Sequence, residues 1–335
     1  QRYLDLIMNP EVREIFRLRS KIISVWREFL DLKGFLEVEI PALQPTYGGA
    51  SAKPYVTKSN AWKSDFYLSI SPELYLKRLL VGGFDKVYTV CKNFRNEDVD
   101  KTHNPEFTMC EFYEAYTDLQ GVMKLTEELV EYVAQKVLGT TEIVYQGKEI
   151  SLKAPWKRIK MIDALNQKAS INVEKMSLEE LLDLAKKEGL EIDVDMQKKG
   201  LIIAELFEHF CENDLIQPTF VTDYPKETTP LCKPHRDNPD LIERTEAYVN
   251  GNEICNGYSE LNDPILQKKF FEEQKEQGRA KGEQHPKDDD FLEAIGYGMP
   301  PAGGMGLGID RLVMLLTDSA SIKDVILFPQ MRPEK

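Results

Sequence analysis

Residues 86–116 read KVYTVCKNFRNEDVDKTHNPEFTMCEFYEAY, and this stretch decides the fold class. Lys86–Arg95 and Phe107–Tyr116 are rich in β-branched and aromatic residues and read as strands. The segment between them, 96–106, is too long for a tight turn and too polar for core, and loops of that kind are often functional. At period 2, Phe107, Met109, Glu111 and Tyr113 share one face of their strand. An alternating core strand does not normally put a glutamate there. With Arg95 at the end of the partner strand, a guanidinium, an aromatic ring and several acids converge on one polar surface. Spacing alone also allows a solvated sheet face laced with ion pairs.

Working outward, Asn9-Pro10-Glu11 reads as a helix start with Asn9 as cap and Pro10 in the first turn. Val12, Ile15, Ile22, Trp26 and Phe29 recur at helical spacing, and Gly34 stops the helix. A strand over Phe35–Ile40 ends at Pro41, and Phe66–Ser71 is strand-like. Ser71-Pro72-Glu73 opens a helix that Gly82-Gly83 closes. Val122, Leu125, Leu129, Val133 and Val137 mark another helix, and 142–152 forms a hairpin about Gln146-Gly147. From 158 to 215 helices replace strands, with Ser177 and Glu180 as a capping box. The charged stretch Gln267–Asp290 reads as an exposed helix and loop, and a glycine-rich strand at 303–308 leads into a helix from Asp310. Hairpin strands interrupted by helices predict an α+β fold around a largely antiparallel sheet, not a βαβ series.

A second hairpin carries its own chemistry. Ile242–Val249 and Glu253–Tyr258 flank Asn250-Gly251, a strong two-residue turn signal. Tyr248 then pairs with Glu253, and Glu246 lies diagonal to Glu253 on the same face. Two carboxylates so placed repel unless a cation such as Mg²⁺ sits between them, or unless both are simply exposed. Strict alternation turns Asn256 and Glu260 to the opposite face, and a bulge near Gly257 would bring them back.

Two glycine- and lysine-containing stretches are decoys. Gly304-Met305-Gly306-Leu307-Gly308 is not G-x-G-x-x-G and has no βαβ unit around it. Lys175-Met176-Ser177 lacks a companion His-x-Gly-His, and Ser177 already serves as a helix cap.

The chain has 335 residues with 43 Lys+Arg and 56 Asp+Glu, a net charge of −13 that argues against a protein relying on bulk phosphate neutralisation. Its length suggests about two domains, or one large domain with an insertion. No apolar run approaches the ~20 residues a membrane helix needs, and charges such as Arg2, Asp5 and Arg13 exclude a signal peptide at the start. Five cysteines with no C-x-x-C pair argue against a disulfide framework and a structural zinc site, and suit a reducing, cytoplasmic compartment. Beginning at Gln1, the chain reads as part of something longer.

Three blocks of residues carry a resemblance. Helix 11–33 with Gly34–Pro41, then Phe94-Arg95-Asn96-Glu97 with His103-Asn104-Pro105-Glu106-Phe107-Thr108, then Gly306-Leu307-Gly308-Ile309-Asp310-Arg311 resemble the three motifs of class II lysyl-tRNA synthetases. The likeness runs from Arg2 to Pro329 and is loosest in the helical insertion and around 276–290. It implies a catalytic core over 1–157 and 216–335, a helical insertion over 158–215, and an oligonucleotide-binding anticodon domain that precedes the core in the family and is absent here. It also implies a homodimer built through helix 11–33 and strand 35–40.

The resemblance implies that lysine and ATP form lysyl-adenylate, and that lysine then passes to the 3′ end of its tRNA. The implied first step, in-line attack on the α-phosphate, needs positioning and charge neutralisation more than a base. Arg95 matches the residue on the α-phosphate and lysine carboxylate. Phe107 and Arg311 match the two faces of the adenine site, and Glu97 and Asn104 its edge. His103 matches a phosphate or loop contact, and Glu246 and Glu253 match the Mg²⁺ ligands. Gly49 and Glu73 match the α-amino site, Asn256 the carboxylate site, and Glu260, Glu111 and Tyr113 the ε-ammonium pocket. The charge is then a division of labour: this part holds ATP through Mg²⁺ and a cationic amino acid through glutamates, and binds tRNA weakly without the anticodon domain.

Competing readings are a paralogue that lysylates a protein, a non-catalytic dimerisation module, and a relative specific for aspartate or asparagine. The lysine-pocket set Glu73, Tyr113, Asn256 and Glu260 speaks against the first and third, and retention of Arg95, Glu246, Glu253 and Arg311 against the second.

Overall fold

The computed structural model describes residues 1–192, 197–280 and 288–332. Helices α1 (Arg2–Met8) and α2 (Pro10–Leu32) open the chain. Strands β1 (Leu36–Glu37), β2 (Leu43–Gln44), β3 (Val56–Lys58) and β4 (Asp65–Leu68) precede α3 (Glu73–Val81). Then come β5 (Lys86–Phe94), β6 (Glu106–Ala115), α4 (Leu119–Leu138), β7 (Glu142–Tyr145), β8 (Lys148–Ser151) and β9 (Lys157–Lys160). Helices α5 (Met161–Ala169), α6 (Leu178–Lys187) and α7 (Lys199–Cys211) fill the expected helical stretch. The chain continues through β10 (Thr219–Pro225), β11 (Leu241–Val249), β12 (Asn252–Ser259), α8 (Pro264–Ala280) and α9 (Asp289–Gly296), and ends in β13 (Ala302–Gly308), α10 (Ile309–Leu316) and α11 (Ile322–Val325). Part of the loop expected between 267 and 290 lies outside the described residues.

The chain divides into two compact units. The first comprises Gln1–Tyr113, Leu125–Ala154 and Gly306–Lys335. Its main strands run in the order β1-β5-β6-β13, with small separate sheets β2-β4-β3 and β7-β8. Helix α2 buries Phe16, Ile22, Val25, Trp26, Phe29 and Leu30 on one stripe, as the 3.6-residue period dictates. Gly34 ends it at φ +80°, where its amide reaches Asp31 O and the Phe35 amide reaches Leu30 O. Asn9 occupies the cap position but does not cap with its side chain. α1 ends directly before it, and the Asn9 amide group donates instead to Asp5 Oδ1 at 2.7 Å. The expected strand 35–40 shrinks to Leu36–Glu37, which pairs parallel to Val87–Tyr88 at the sheet edge, beyond which Pro41 can give no ladder hydrogen bond.

A buried tie joins the three motifs within this unit. Arg19 of α2 donates to Asp310 Oδ1 at 2.5 Å, to Thr108 Oγ1 at 3.0 Å and to Val325 O at 3.1 Å. Asp310 Oδ2 in turn accepts the Thr108 amide.

The second unit comprises Glu114–Lys124 and Pro155–Met305. Its strands follow β13-β12-β11-β10-β9, with β10–β11–β12 antiparallel and β9 parallel to β10. Its core packs Met161, Leu165, Leu181, Ile202, Leu206 and Phe207 of the helices against Val221, Tyr224, Ile242 and Tyr248 of the sheet. Ser177 caps α6 as expected, accepting the Glu180 amide while Glu180 Oε2 accepts the Ser177 amide. Asn250 and Gly251 both take positive φ, 51° and 72°, the geometry that a right-handed-twisted hairpin selects.

Candidate active site

In the first unit, the loop after β5 and the start of β6 bring the phosphate and adenine candidates together. The Arg95 amide donates to Pro105 O at 2.8 Å, which folds the loop back on its own stem. The Arg95 guanidinium stands over the Phe107 ring, 5.1 Å from its centroid, and donates at 3.4 Å to Ile70 O. Glu97 Oε1 accepts the Lys53 amide at 3.3 Å. Asn104 is buried; its amide group donates to Glu106 O at 2.6 Å, while its Oδ1 has no hydrogen-bond partner among the described residues.

His103 bridges the loop to α10. Its Nε2 lies 3.1 Å from Arg311 Nη2, and its Nδ1 lies 2.8 Å from Asp100 Oδ2. A guanidinium can only donate, so Nε2 accepts and Nδ1–H donates to Asp100. Partial burial works against the Asp100 anion, but hydrogen bonds from the His103 ring and the amides of Thr102 and His103 win and hold its carboxyl down at about 2.

The acidic pocket is built on α3 and β6 of the same unit. Glu111 is buried; Ser71 Oγ donates to its Oε1 at 2.9 Å and Tyr113 Oη to its Oε2 at 2.8 Å. Burial, and then the nearby Glu73 charge, push the Glu111 carboxyl up to about 7, against the two hydroxyls and Arg95. Glu73 is also buried, and Lys77 Nζ lies 2.6 Å from its Oε1. The Glu73 amide donates to Ser71 Oγ at 3.1 Å. Gly49 closes the cluster at φ +86°; a Cβ there would stand 2.8 Å from Ser71 Oγ and 3.1 Å from Glu73 Cβ. A Cβ at Gly306 would stand 3.1 Å from Met109 Cε and 3.4 Å from Glu111 Cγ.

The second unit holds Glu246, Glu253, Asn256 and Glu260. Tyr248 pairs with Glu253 as expected, and Glu246 with Asn256. The bulge that the alternation required exists, but not at Gly257. Ala247 pairs with Cys255 and Tyr248 with Glu253, so Ile254 is the inserted residue. That single insertion turns Asn256 to the face shared by Glu246, Tyr248 and Glu253. Gly257 does a different job: its Cβ would lie 2.7 Å from Gly304 O, so it lets β13 approach.

Glu246 is held on both oxygens. Arg244 pairs with Oε1, and Oε2 accepts from Tyr224 Oη at 2.8 Å and Tyr248 Oη at 2.6 Å. Arg244 also donates to Asn256 Oδ1 at 3.3 Å and lies 4.6 Å over the Tyr224 ring. Glu208 of α7 joins this acidic region: burial, then Glu205, Glu212, Glu246 and Glu253, push its carboxyl up to about 7. Glu260 is fully buried, and its amide donates to Ala302 O at 2.8 Å. Among the described residues no group of three or more His, Cys, Asp or Glu side chains is arranged to hold a metal. A cation here would rest on the two hairpin carboxylates and on oxygens that a substrate brings, a donor set that suits Mg²⁺.

Ser71, Lys77 and Arg244 escaped the sequence reading. Lys77 left a trace, since it stands one turn after Glu73 beside Leu76 and Leu80, on the stripe that α3 buries.

A family profile described as "tRNA synthetases class II (D, K and N)" matches residues 1–332. The chain is 54% identical over 339 residues to a protein of Clostridium novyi (strain NT) named lysine–tRNA ligase, covering all of this chain and 66% of that one. Proteins of the same name match at 55% over 336 residues in Thermoanaerobacter pseudethanolicus, covering 100% of this chain and 67% of that one, and in Carboxydothermus hydrogenoformans, covering 99% and 68%. The chain thus spans about two thirds of the length of these relatives.

Proposed function

This chain belongs to the class II tRNA synthetases, and from that membership we propose that it forms lysyl-adenylate from L-lysine and ATP and passes lysine to the 3′ end of lysine tRNA. The observation that carries the amino-acid choice is the buried pair Glu73 and Glu111, two carboxylates in a pocket with a tyrosine hydroxyl already aimed at one of them. Lys77 offsets part of the Glu73 charge, and the pocket still calls for a cationic ligand. A neutral side chain leaves a buried charge unpaired, a penalty of about 2–5 kcal/mol. Leucine and methionine are therefore rejected strongly. Ornithine, one methylene shorter, is the harder competitor.

Each role is assigned residue by residue. Glu73 and Gly49 receive the α-ammonium, and Glu111, Tyr113 and Glu260 the ε-ammonium. Asn256 and Arg95 receive the carboxylate. The attack of that carboxylate on the α-phosphate in line with pyrophosphate transfers no proton, so the residues work by holding and neutralising. Arg95 neutralises the growing charge on the α-phosphate. Phe107 stacks on adenine and Arg311 covers its other face. Glu97 and Asn104 read the adenine edge, and the buried, unpartnered Oδ1 of Asn104 suits an exocyclic amino donor. His103 makes a phosphate or loop contact, its two ring nitrogens being engaged by Asp100 and Arg311. Glu246 and Glu253 hold Mg²⁺, which when bound supplies positive charge to the leaving pyrophosphate.

The same reading takes 1–157 and 216–335 as catalytic core and 158–215 as insertion. It makes the protein a cytoplasmic homodimer through helix 11–33 and strand 35–40, with lysine tRNA as the second substrate. Exposed Leu32 and Leu36 on those elements support the dimer. Among the described residues no helix is long and apolar enough to cross a membrane. ATP–pyrophosphate exchange with each amino acid in turn tests the proposal. Exchange supported by lysine alone among the standard amino acids is expected; exchange driven equally by aspartate or asparagine would overturn it.

A further inference from the structure

Helix α3 carries one fully buried lysine, Lys77, with its Nζ 2.6 Å from Glu73 Oε1 one helical turn away. Its side chain has no solvent exposure, and that of Glu73 has 5%. An exposed i,i+4 pair on a helix is a minor stabiliser, but burying both members is costly, and a fold that only needed packing would place an apolar residue there. The partner matters. Glu73 lies against Gly49, shares Ser71 Oγ with Glu111 through its own amide, and its charge bears on Glu111 of β6. Two carboxylates in so small a buried space cannot both stay ionised without cations close by.

We propose that Lys77 is a positioning residue of the amino-acid pocket: it pins the Glu73 carboxylate in place and keeps it an anion, so that Glu73 can receive the α-ammonium of the incoming amino acid. This rests on the assignment of Glu73 to the α-ammonium. Burial raises the Glu73 pKa and Lys77 opposes that rise, which is the direction the role demands. Without the ammonium, Glu73 relieves its burial by taking up a proton. It then presents a neutral carboxyl to a cation, and its side chain is free to turn toward Ser71 and Glu111. The ε-ammonium pocket of Glu111 and Tyr113 keeps its own hydrogen bonds in that case.

The defect is therefore specific to one substrate group, which gives the test. 6-Aminohexanoate keeps the carboxylate and the ε-ammonium of lysine and lacks the α-amino group. The ratio of lysine affinity to 6-aminohexanoate affinity, read as KM for lysine and inhibition constant for the analogue in ATP–pyrophosphate exchange, reports α-ammonium recognition alone. In K77M the ratio is expected to fall at least about tenfold, with KM for ATP and inhibition by the analogue unchanged, and K77R should restore part of it. A K77M protein that keeps the ratio, or loses lysine and analogue equally, overturns the proposal and leaves Lys77 a structural ion pair. Should K77M not fold, K77R serves alone. It keeps the charge and moves it, so a raised KM for lysine with unchanged analogue inhibition supports the role, and unchanged values for both overturn it. E73Q separates the premise from the inference: if the ratio survives E73Q, the assignment of Glu73 to the α-ammonium fails by itself.

Discussion

Asp310 Oδ2 accepts the backbone amide of Thr108 at 2.6 Å. Each residue is the immediate neighbour of a candidate ATP contact, Arg311 on one side and Phe107 on the other. The bond therefore sets the spacing between the ring and the guanidinium that the proposal places on opposite faces of adenine. Arg19 completes the tie from α2, with 14% side-chain exposure against 3% for Asp310. D310N keeps the shape of the side chain and removes its charge, leaving Arg19 buried and uncompensated. A loss of about 3–5 kcal/mol in urea unfolding is expected, together with a raised KM for ATP in whatever protein remains folded. R19M should lose less activity than D310N, because the Thr108 bond survives it.

With Glu111 in the proposed ε-ammonium pocket, lysine recognition is expected to depend on pH. Its carboxyl, pushed to about 7 by burial and by Glu73, is an anion only above that value. KM for lysine should rise as the pH falls from 8 to 6, and lysine binding near pH 7 should release protons, as calorimetry in buffers of different ionisation heat would show. The sign for stability is the reverse. A raised folded-state pKa stabilises the protonated, ligand-free protein at low pH, and that contribution is lost as the pH rises through about 7. E111Q should bind lysine weakly with a flat pH profile.

Arg244 links two subsites of the second unit through Glu246 and Asn256. R244M leaves the Glu246 charge without its cation and the Asn256 amide without its donor. KM for lysine should rise at least about tenfold. R244K, which keeps charge but not the fork, should fall between.

G257A tests the close approach of β12 and β13. The added Cβ meets Met305 Sδ at 2.6 Å and Gly304 O at 2.7 Å; the thioether can swing away, but the carbonyl is backbone. A loss of about 1–3 kcal/mol in unfolding free energy is expected, with β12 shifted and Asn256 and Glu260 shifted with it. Wild-type stability and wild-type KM for lysine together would contradict that role.

The legible parts of the fold were those with local chemistry. The Asn250-Gly251 turn, the Gly34 stop and the Ser177 capping box all declare themselves within a few residues, and the structure has each of them. The bulge was inferred from alternation but not located. A bulge whose extra residue keeps a negative φ needs no glycine, so Ile254 gives no sign, whereas Gly257 gives a sign for something else. Strand 35–40 failed because pairing at a sheet edge depends on what the neighbour offers, not on propensity. In the candidate site, Arg95 and Phe107 were singled out by strand spacing, and Arg311 by the family resemblance alone. Ser71, Arg19 and Arg244 act through partners brought in by folding, at separations no local pattern encodes.

The most direct measurement of the central claim is ATP–pyrophosphate exchange by wild type and E111Q with lysine, ornithine, leucine and aspartate. The account predicts that lysine supports exchange far better than ornithine, that leucine and aspartate support none, and that E111Q loses lysine-dependent exchange while binding ATP as before. Lysine-dependent exchange at the wild-type level in E111Q, or a preference for any other of these amino acids, would contradict it.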